Sequence, residues 1–208
     1  MTKDGYTVVA PRLNLLNAAE DVATVRAALD NIAGKKILVG HSYGGFVVTQ
    51  AAADRRDVVG LVYSAAFIPR PGDSLASLGQ GYPPPAAIPH LVFVGEPYPP
   101  PAIIDPAHYR EDFAGDLNPK LAAEFAAAQQ PFNFLIFGQQ AGPTASLPSW
   151  YAVSGEDRMI VPELQLWMAQ RAGAKIIEFP AASHAGGYTH YASPFVKLIE
   201  QAAAALAG

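Results

Sequence analysis

The residues best suited to catalysis in this sequence are grouped around Ser42. Residues 40–45 read Gly-His-Ser-Tyr-Gly-Gly, a G-x-S-x-G pattern with a further glycine behind it. Residues 36–39 predict a buried strand before the pattern, and residues 46–53 predict a buried helix after it. A serine at a sharp strand-to-helix turn exposes its hydroxyl as a nucleophile, and the glycines leave room for the strained backbone. The backbone N–H of Tyr43, at the helix start, is then placed to hold an oxyanion.

A serine hydroxyl is a poor nucleophile until a base takes its proton and an acid orients that base. His184 follows the last predicted strand and is favoured as the base over His190, because a base close to a strand end is better fixed. Asp157 follows the preceding predicted strand and is favoured as the acid, with Glu156 as the alternative. The chain order Ser42, Asp157, His184 matches one of the known arrangements of a catalytic triad.

The other histidines and two aromatic residues are candidates for substrate contacts. His90 and His108 fall in an irregular segment and are interpreted as surface or pocket-lining residues. His41 adjoins the serine, and two interpretations of it stay open: a side chain turned away from the pocket, or a substrate contact. Phe67 and Tyr151 complete the predicted substrate-binding set, and no metal-binding residue is predicted.

Alternating strands and helices would position these residues in an α/β fold with a mostly parallel sheet flanked by helices. The strands are predicted at residues 7–10, 36–39, 58–63, 150–153 and 175–179. The first helix is expected to begin at Asn17, with Glu20 closing a capping box, and to stop at Gly34. Residues 1–68 and 149–208 are therefore assigned to the core.

Residues 69–148 break this alternation and are predicted to form an inserted cap over the active site. The segment contains two runs of three prolines, a short predicted strand at residues 90–94 and a predicted helix at residues 118–129. It is too long for an ordinary loop. Its aromatic and proline-rich composition suggests an apolar or aromatic group on the substrate.

Composition excludes several other classes of protein. The chain has 208 residues, of which 50% are hydrophobic and 15% are charged, and it contains no cysteine. This predicts a compact globular protein without disulfides, consistent with a cytoplasmic location. The mild net charge of −4 argues against nucleic acid as a partner. Neither a membrane span nor a signal peptide is predicted.

From Tyr6 onward the sequence resembles bacterial α/β-hydrolases of the small esterase, cofactor-free haloperoxidase and hydroxynitrile-lyase-like group. The matching stretches are residues 38–45, 61–67, 148–151, 157–162 and 182–185. The resemblance implies Ser42 as nucleophile, Asp157 as acid, His184 as base and residues 69–148 as the cap. It implies no metal or organic cofactor.

The resemblance also implies a strand that is not seen in this sequence. Members of this group begin with a strand ending in His-Gly, which supplies the second oxyanion donor, whereas only residues 1–6 precede Thr7 here. Without that strand we expect a weak esterase, since one lost donor costs about 3 kcal/mol. The open sheet edge could be closed by residues 7–10 pairing with residues 37–39, or by a second chain. A homodimer is slightly favoured.

Three functions are compatible with these residues. The first is a serine hydrolase that cleaves a small carboxylic ester through an acyl-enzyme. The second is a binding protein that keeps the pocket but has lost efficient turnover. The third is a lyase in which the same triad acts as a base without forming an acyl-enzyme.

Overall fold

The structure is a computed structural model that describes residues 1–2, 5–96 and 99–207. Residues 97 and 98 of the predicted cap and residues 3 and 4 of the N-terminal segment lie outside the described residues. The strands are β1 (Lys36–His41), β2 (Val58–Ser64), β3 (Leu91–Phe93), β4 (Ala102–Ile104), β5 (Ser149–Ser154) and β6 (Lys175–Phe179). The helices are α1 (Ala18–Asp30), α2 (Tyr43–Ala51), α3 (Leu75–Leu78), α4 (Pro106–Phe113), α5 (Pro119–Ala127), α6 (Pro162–Arg171) and α7 (Ala192–Ala205).

Four parallel strands form the main sheet in the order β1-β2-β5-β6, which confirms the predicted α/β class. The register places His41 opposite Ser64, and Ser64 opposite Ala152. The carboxyl ends of the strands therefore lie along one edge of the sheet, where loops can bring distant residues together. All six residues of β5 are buried, as expected for a central strand.

Helices cover both faces of this sheet. Alternate strand residues such as Tyr63 and Tyr151 pack with α1, α2 and α6, while Val62 and Trp150 pack with α7 on the opposite face. Because successive side chains of a strand point to opposite faces, each strand contributes to both cores. Among the described residues, no helix is both long and apolar enough to cross a bilayer.

The prediction of a strand at residues 7–10 is wrong. This segment has no strand pairing, and Val8 and Val9 are 56% and 50% exposed. A β-branched run becomes a strand only when a neighbouring strand supplies hydrogen bonds. Instead, the chain that follows this segment is bonded to α1. The N–H groups of Asn14 and Leu15 donate to the Asp21 carboxylate on that helix.

The predicted pairing of residues 7–10 with β1 is therefore absent. Within the described residues β1 pairs with β2 alone, and Val39 on this outer strand is 44% exposed. A homodimer that covers this edge stays a prediction, and the mass in solution measured by light scattering tests it.

The first helix begins where the sequence predicted and ends earlier. The Asn17 side chain accepts hydrogen bonds from the N–H groups of Ala19 and Glu20, which caps α1. The Glu20 carboxylate accepts a hydrogen bond from the Asn14 side chain at 2.6 Å. Glu20 therefore contacts the preceding loop instead of closing the expected capping box. The helix ends at Asp30, four residues before Gly34.

The described residues of the segment at residues 69–148 form the antiparallel pair β3–β4 and the α-helices α3, α4 and α5. The strand predicted at residues 90–94 is β3, which pairs with β4, and the predicted helix at residues 118–129 is α5, capped by Asn118. A separate apolar cluster fills this segment and includes Ile104, Tyr109 and Leu117. Its role as a cap remains a prediction.

Candidate active site

Ser42 lies in a strained turn between β1 and α2. Its backbone has φ 53° and ψ −126°, a conformation that costs free energy for a residue with a side chain. A Cβ on Gly40 would lie 2.7 Å from the Gly45 Cα, and one on Gly45 would lie 2.5 Å from the Phe67 carbonyl oxygen. Only glycine fits at these two positions, which confirms the predicted reason for Gly40 and Gly45. A Cβ on Gly44 would meet nothing within 4 Å, so the predicted collision is absent at that position.

The neighbouring strand end holds this turn in place. The Ser42 N–H donates to the carbonyl oxygens of Ser64 and Ala65 at 3.2 and 3.1 Å, and its own carbonyl oxygen accepts from the Phe67 N–H at 3.1 Å. The Tyr43 phenol donates to Asp21 Oδ2 at 3.0 Å, inside the core. Because the Tyr43 phenol is bonded to α1, the polar group that Tyr43 can offer to a ligand at the start of α2 is its backbone N–H.

His184 and Asp157 form a buried pair at the same edge of the sheet. His184 Nδ1 lies 2.7 Å from Asp157 Oδ2, and the two residues are 1% and 4% exposed. Asp157 Oδ1 accepts the backbone N–H groups of Met159 and Ile160 at 2.7 and 2.9 Å. These donors orient the carboxylate, and its Oδ2 favours the His184 tautomer that carries a proton on Nδ1.

The second ring nitrogen of His184 is free. Nε2 is buried and has no hydrogen-bond partner among the described residues, and the Ser42 hydroxyl is not hydrogen-bonded to it in this state. The rings of Phe113 and His41 lie 4.7 and 4.6 Å from the His184 ring. A buried imidazole nitrogen without a partner is available to accept a proton.

His41 joins the Ser42 turn to the His184 loop. Its Nε2 donates to the His184 carbonyl oxygen at 2.9 Å, and its ring packs edge-on against Tyr188 at 4.7 Å. Burial, reinforced by the nearby His184, lowers the pKa of His41 to about 3. His41 is therefore neutral at physiological pH and acts as a hydrogen-bond donor between the two loops.

The remaining predicted residues lie in different surroundings. Glu156 and His190 are exposed, unlike Asp157 and His184, so their positions favour the first-choice assignments. Tyr151 is fully buried, and its hydroxyl both donates to the Ala66 carbonyl oxygen and accepts from the Ala66 N–H, each at 2.7 Å. Its predicted substrate contact is disfavoured by this burial.

Phe67 is 7% exposed and belongs to the main core, while its backbone supports the Ser42 turn. A substrate contact by Phe67 stays a prediction.

A second histidine–aspartate pair lies outside this site. In the segment at residues 69–148, His90 Nδ1 lies 2.6 Å from Asp112 Oδ2, and the His90 and His108 rings stack at 3.7 Å. The sequence predicts surface or pocket-lining positions for both histidines and gives no sign of the pair. Within the described ranges, no group of three or more His, Asp or Glu side chains is arranged to hold a metal ion.

Two residues near His184 were missed from the sequence. Gln165 on α6 donates to Asp157 Oδ2 at 2.8 Å, and Phe113 on α4 packs against the His184 ring. Gln165 had a detectable signal, because it is a polar residue next to Leu164 on a helix face that must be buried. Phe113 had no such signal in the sequence, because its contact with the His184 ring depends on how residues 69–148 pack against the loop of His184.

Comparison with known proteins identifies the fold. The structure is similar to the crystal structure of a pyrethroid hydrolase from Sphingobium faniae JZ-2, with a TM-score of 0.77, 22% identity, and coverage of 99% of this chain and 89% of the other. It also agrees with polyneuridine aldehyde esterase, with a TM-score of 0.74, 19% identity, and coverage of 90% and 80%. At these identities the similarity shows the fold alone.

A curated relative matches over a shorter stretch. A carbendazim hydrolyzing esterase from Nocardioides sp. (strain SG-4G) is 55% identical over 51 residues, which cover 23% of this chain and 21% of that protein. The match thus spans about a fifth of the relative's length. The sequence as a whole matches the profile of the alpha/beta hydrolase family over residues 3–201. The chain belongs to the alpha/beta hydrolase family.

Proposed function

We propose that the protein is a serine hydrolase that cleaves a small carboxylic ester through an acyl-enzyme. The observation that carries the proposal is the buried His184–Asp157 pair with a free Nε2, next to the strained Ser42 turn. Family membership supports it, and the relatives named above are themselves called esterases or hydrolases.

In the proposed mechanism, the Ser42 hydroxyl attacks the ester carbonyl carbon while His184 Nε2 takes its proton. The imidazolium is stabilised by Asp157, and the oxyanion accepts a hydrogen bond from the Tyr43 N–H. His184 then returns the proton to the leaving alcohol. A water molecule, deprotonated by His184 Nε2, then attacks the carbonyl carbon of the acyl-enzyme. The carboxylic acid leaves, and His184 returns the proton to Ser42. Ser42 and His184 approach each other to hydrogen-bonding distance when substrate binds.

The proposed substrate carries an apolar or aromatic group. The rings of His41, Phe113 and Tyr188 surround the His184 side of the site, and none of them carries a charge at neutral pH. Aromatic rings favour flat apolar groups packed at their faces or edges. Slow turnover also stays a prediction, because a single oxyanion donor, the Tyr43 N–H, is assigned here.

A fluorophosphonate probe combined with a p-nitrophenyl ester assay tests the proposal. Covalent labelling together with ester turnover is expected, and Ser42→Ala should abolish both while keeping the wild-type melting temperature. Labelling without turnover of any of a panel of alkyl and aryl esters would point to the lyase, and absence of labelling would point to a binding protein.

A further inference from the structure

Gln165 is a polar side chain in an apolar part of the core. It is fully buried on α6, beside Leu164 and Met168, which are 4% and 0% exposed. An amide in such surroundings costs free energy unless its polar atoms are hydrogen-bonded. Gln165 meets this requirement with bonds that converge on one loop, the turn that carries Asp157.

The bonds of Gln165 connect a strand end to this turn. Its Oε1 accepts from the Ser154 N–H at 3.0 Å, at the end of β5. Its Nε2 donates to the Ile160 carbonyl oxygen at 2.6 Å and to Asp157 Oδ2 at 2.8 Å. Gln165 thereby fixes the turn at both ends and also contacts the carboxylate directly.

The contact with the carboxylate involves the oxygen that also serves His184. Asp157 Oδ2 accepts from Gln165 Nε2 at 2.8 Å and from His184 Nδ1 at 2.7 Å. The other oxygen, Oδ1, is occupied by two backbone N–H groups. The carboxylate cannot rotate without breaking one of these four bonds, and its charge is shared among all of them.

We propose that Gln165 is a positioning residue for His184, acting through Asp157. This inference rests on the proposed hydrolase function. Gln165 keeps the carboxylate turned toward His184 Nδ1, and its own donation to Oδ2 limits how strongly that oxygen stabilises a protonated His184. Gln165 thus determines both the orientation of the base and the pH at which the base becomes free to act.

Removing the Gln165 donor should shift the pH dependence of the reaction, whereas a loss of packing alone should not. Without Gln165 Nε2, Oδ2 becomes a stronger acceptor for the His184 Nδ1 proton, so the protonated imidazole is favoured. The base is then neutral only at higher pH. The acid limb of the kcat/KM profile should therefore move upward, whereas a purely structural loss would scale the whole profile without moving it.

Gln165→Met tests the proposal, because methionine keeps the length of the side chain and removes its donor. We expect the acid limb to move up by about half a pH unit or more, and kcat to fall about tenfold because the turn that carries Asp157 loses its bonds to α6. Gln165→Leu carries the same test if the methionine variant does not fold.

The chain offers a matched control in Gln129, which is partly buried in the segment at residues 69–148. Its amide accepts from the Ile104 N–H and donates to the carbonyl oxygens of Ile104 and Ala126, at 2.9, 2.9 and 3.0 Å. Gln129→Met loses the same kinds of bond far from Asp157. We expect it to lower the melting temperature and to leave the acid limb where it is.

A proton NMR measurement separates this proposal from the proposed function, because it needs no turnover. The proton between His184 Nδ1 and Asp157 Oδ2 should give a far-downfield resonance that is absent in His184→Ala. It should move further downfield in Gln165→Met and stay in place in Gln129→Met. An unmoved resonance together with an unmoved acid limb in Gln165→Met would overturn the role of Gln165, whether or not the protein hydrolyses esters.

Discussion

The two histidine–aspartate pairs of this protein have the same contact and different surroundings. His184 Nδ1 and His90 Nδ1 lie 2.7 and 2.6 Å from Oδ2 of Asp157 and Asp112, and both carboxylates are buried. Asp157 has hydrogen bonds on both oxygens. Asp112 has a buried Oδ1 without a hydrogen bond among the described residues, with only Arg158 at 3.9 Å.

The second difference concerns what each histidine faces. His184 is 1% exposed and lies beside the loop that carries Ser42, whereas the His90 side chain is 30% exposed and stacks on His108. The His90 pair therefore links the residue before β3 to α4, and its contacts among the described residues include no serine. The comparison supports the proposal that His184, whose loop is bonded to the loop of the strained Ser42, is the base of the two.

The largest expected effect distinguishes the two histidines. His184→Ala should lower kcat for a p-nitrophenyl ester by about a thousandfold or more, because it removes the proposed base. His90→Ala should change kcat less than about twofold and lower the melting temperature instead. Steady-state kinetics on both variants, with circular dichroism to check folding, gives the result. Equal loss in both would mean that the His90 pair takes part in the reaction.

The next effect compares the two carboxylates. Asp157→Asn should lower kcat by about a thousandfold, because an amide no longer holds the proton on His184 Nδ1. Asp112→Asn and Glu156→Gln should each stay within about threefold of wild type in the same assay. If Glu156→Gln were the inactive variant, the acid of the proposed triad would have to be reassigned.

A smaller effect should appear in the pH dependence of stability, through His41. Its pKa is lowered to about 3 in the folded protein, so the unfolded chain binds a proton from about pH 6.5 downward that the folded protein does not bind. The free energy of unfolding that depends on a neutral His41 is present in full above about pH 6.5 and is lost as the pH falls toward 3.

His41→Gln removes that loss and keeps an N–H that can reach the His184 carbonyl oxygen. Between pH 6.5 and 4, its melting temperature should fall by about 2–4 °C less than that of wild type, which corresponds to about 1 kcal/mol. His190→Gln changes an exposed histidine and should keep the wild-type dependence. Parallel curves of melting temperature against pH for all three proteins would contradict a partly buried His41 that stays neutral.

Most of the fold could be predicted because its signals are local. The apolar run before Ser42, the glycines around it and the strands that end just before Asp157 and His184 can each be recognised within a few residues. The segment at residues 7–10 has an equally clear local pattern and forms no strand, since a strand depends on a partner that sequence alone does not identify.

The parts that could not be predicted depend on tertiary contacts. His90 and Asp112 are 22 positions apart in an irregular segment, and their contact depends on how α4 packs beside β3. The sequence left two interpretations of His41 open, because the direction of its side chain follows from the distant His184 loop. The sequence does mark Gln165 as a polar residue on a buried helix face, but its bond to Asp157 Oδ2 depends on how α6 packs beside the turn that carries Asp157.

The carboxylate of Asp21 decides where this protein can be joined to another one. It binds the loop at Asn14 and Leu15 on one side and the Tyr43 phenol on the other, while residues 7–10 before that loop are exposed and form no strand. A fusion partner or surface anchor attached before residue 11 would leave these bonds untouched. An insertion between Asn14 and Asp21 would transmit strain through a single carboxylate to the helix behind Ser42, so that linker position becomes a means of adjusting the Ser42 turn from outside.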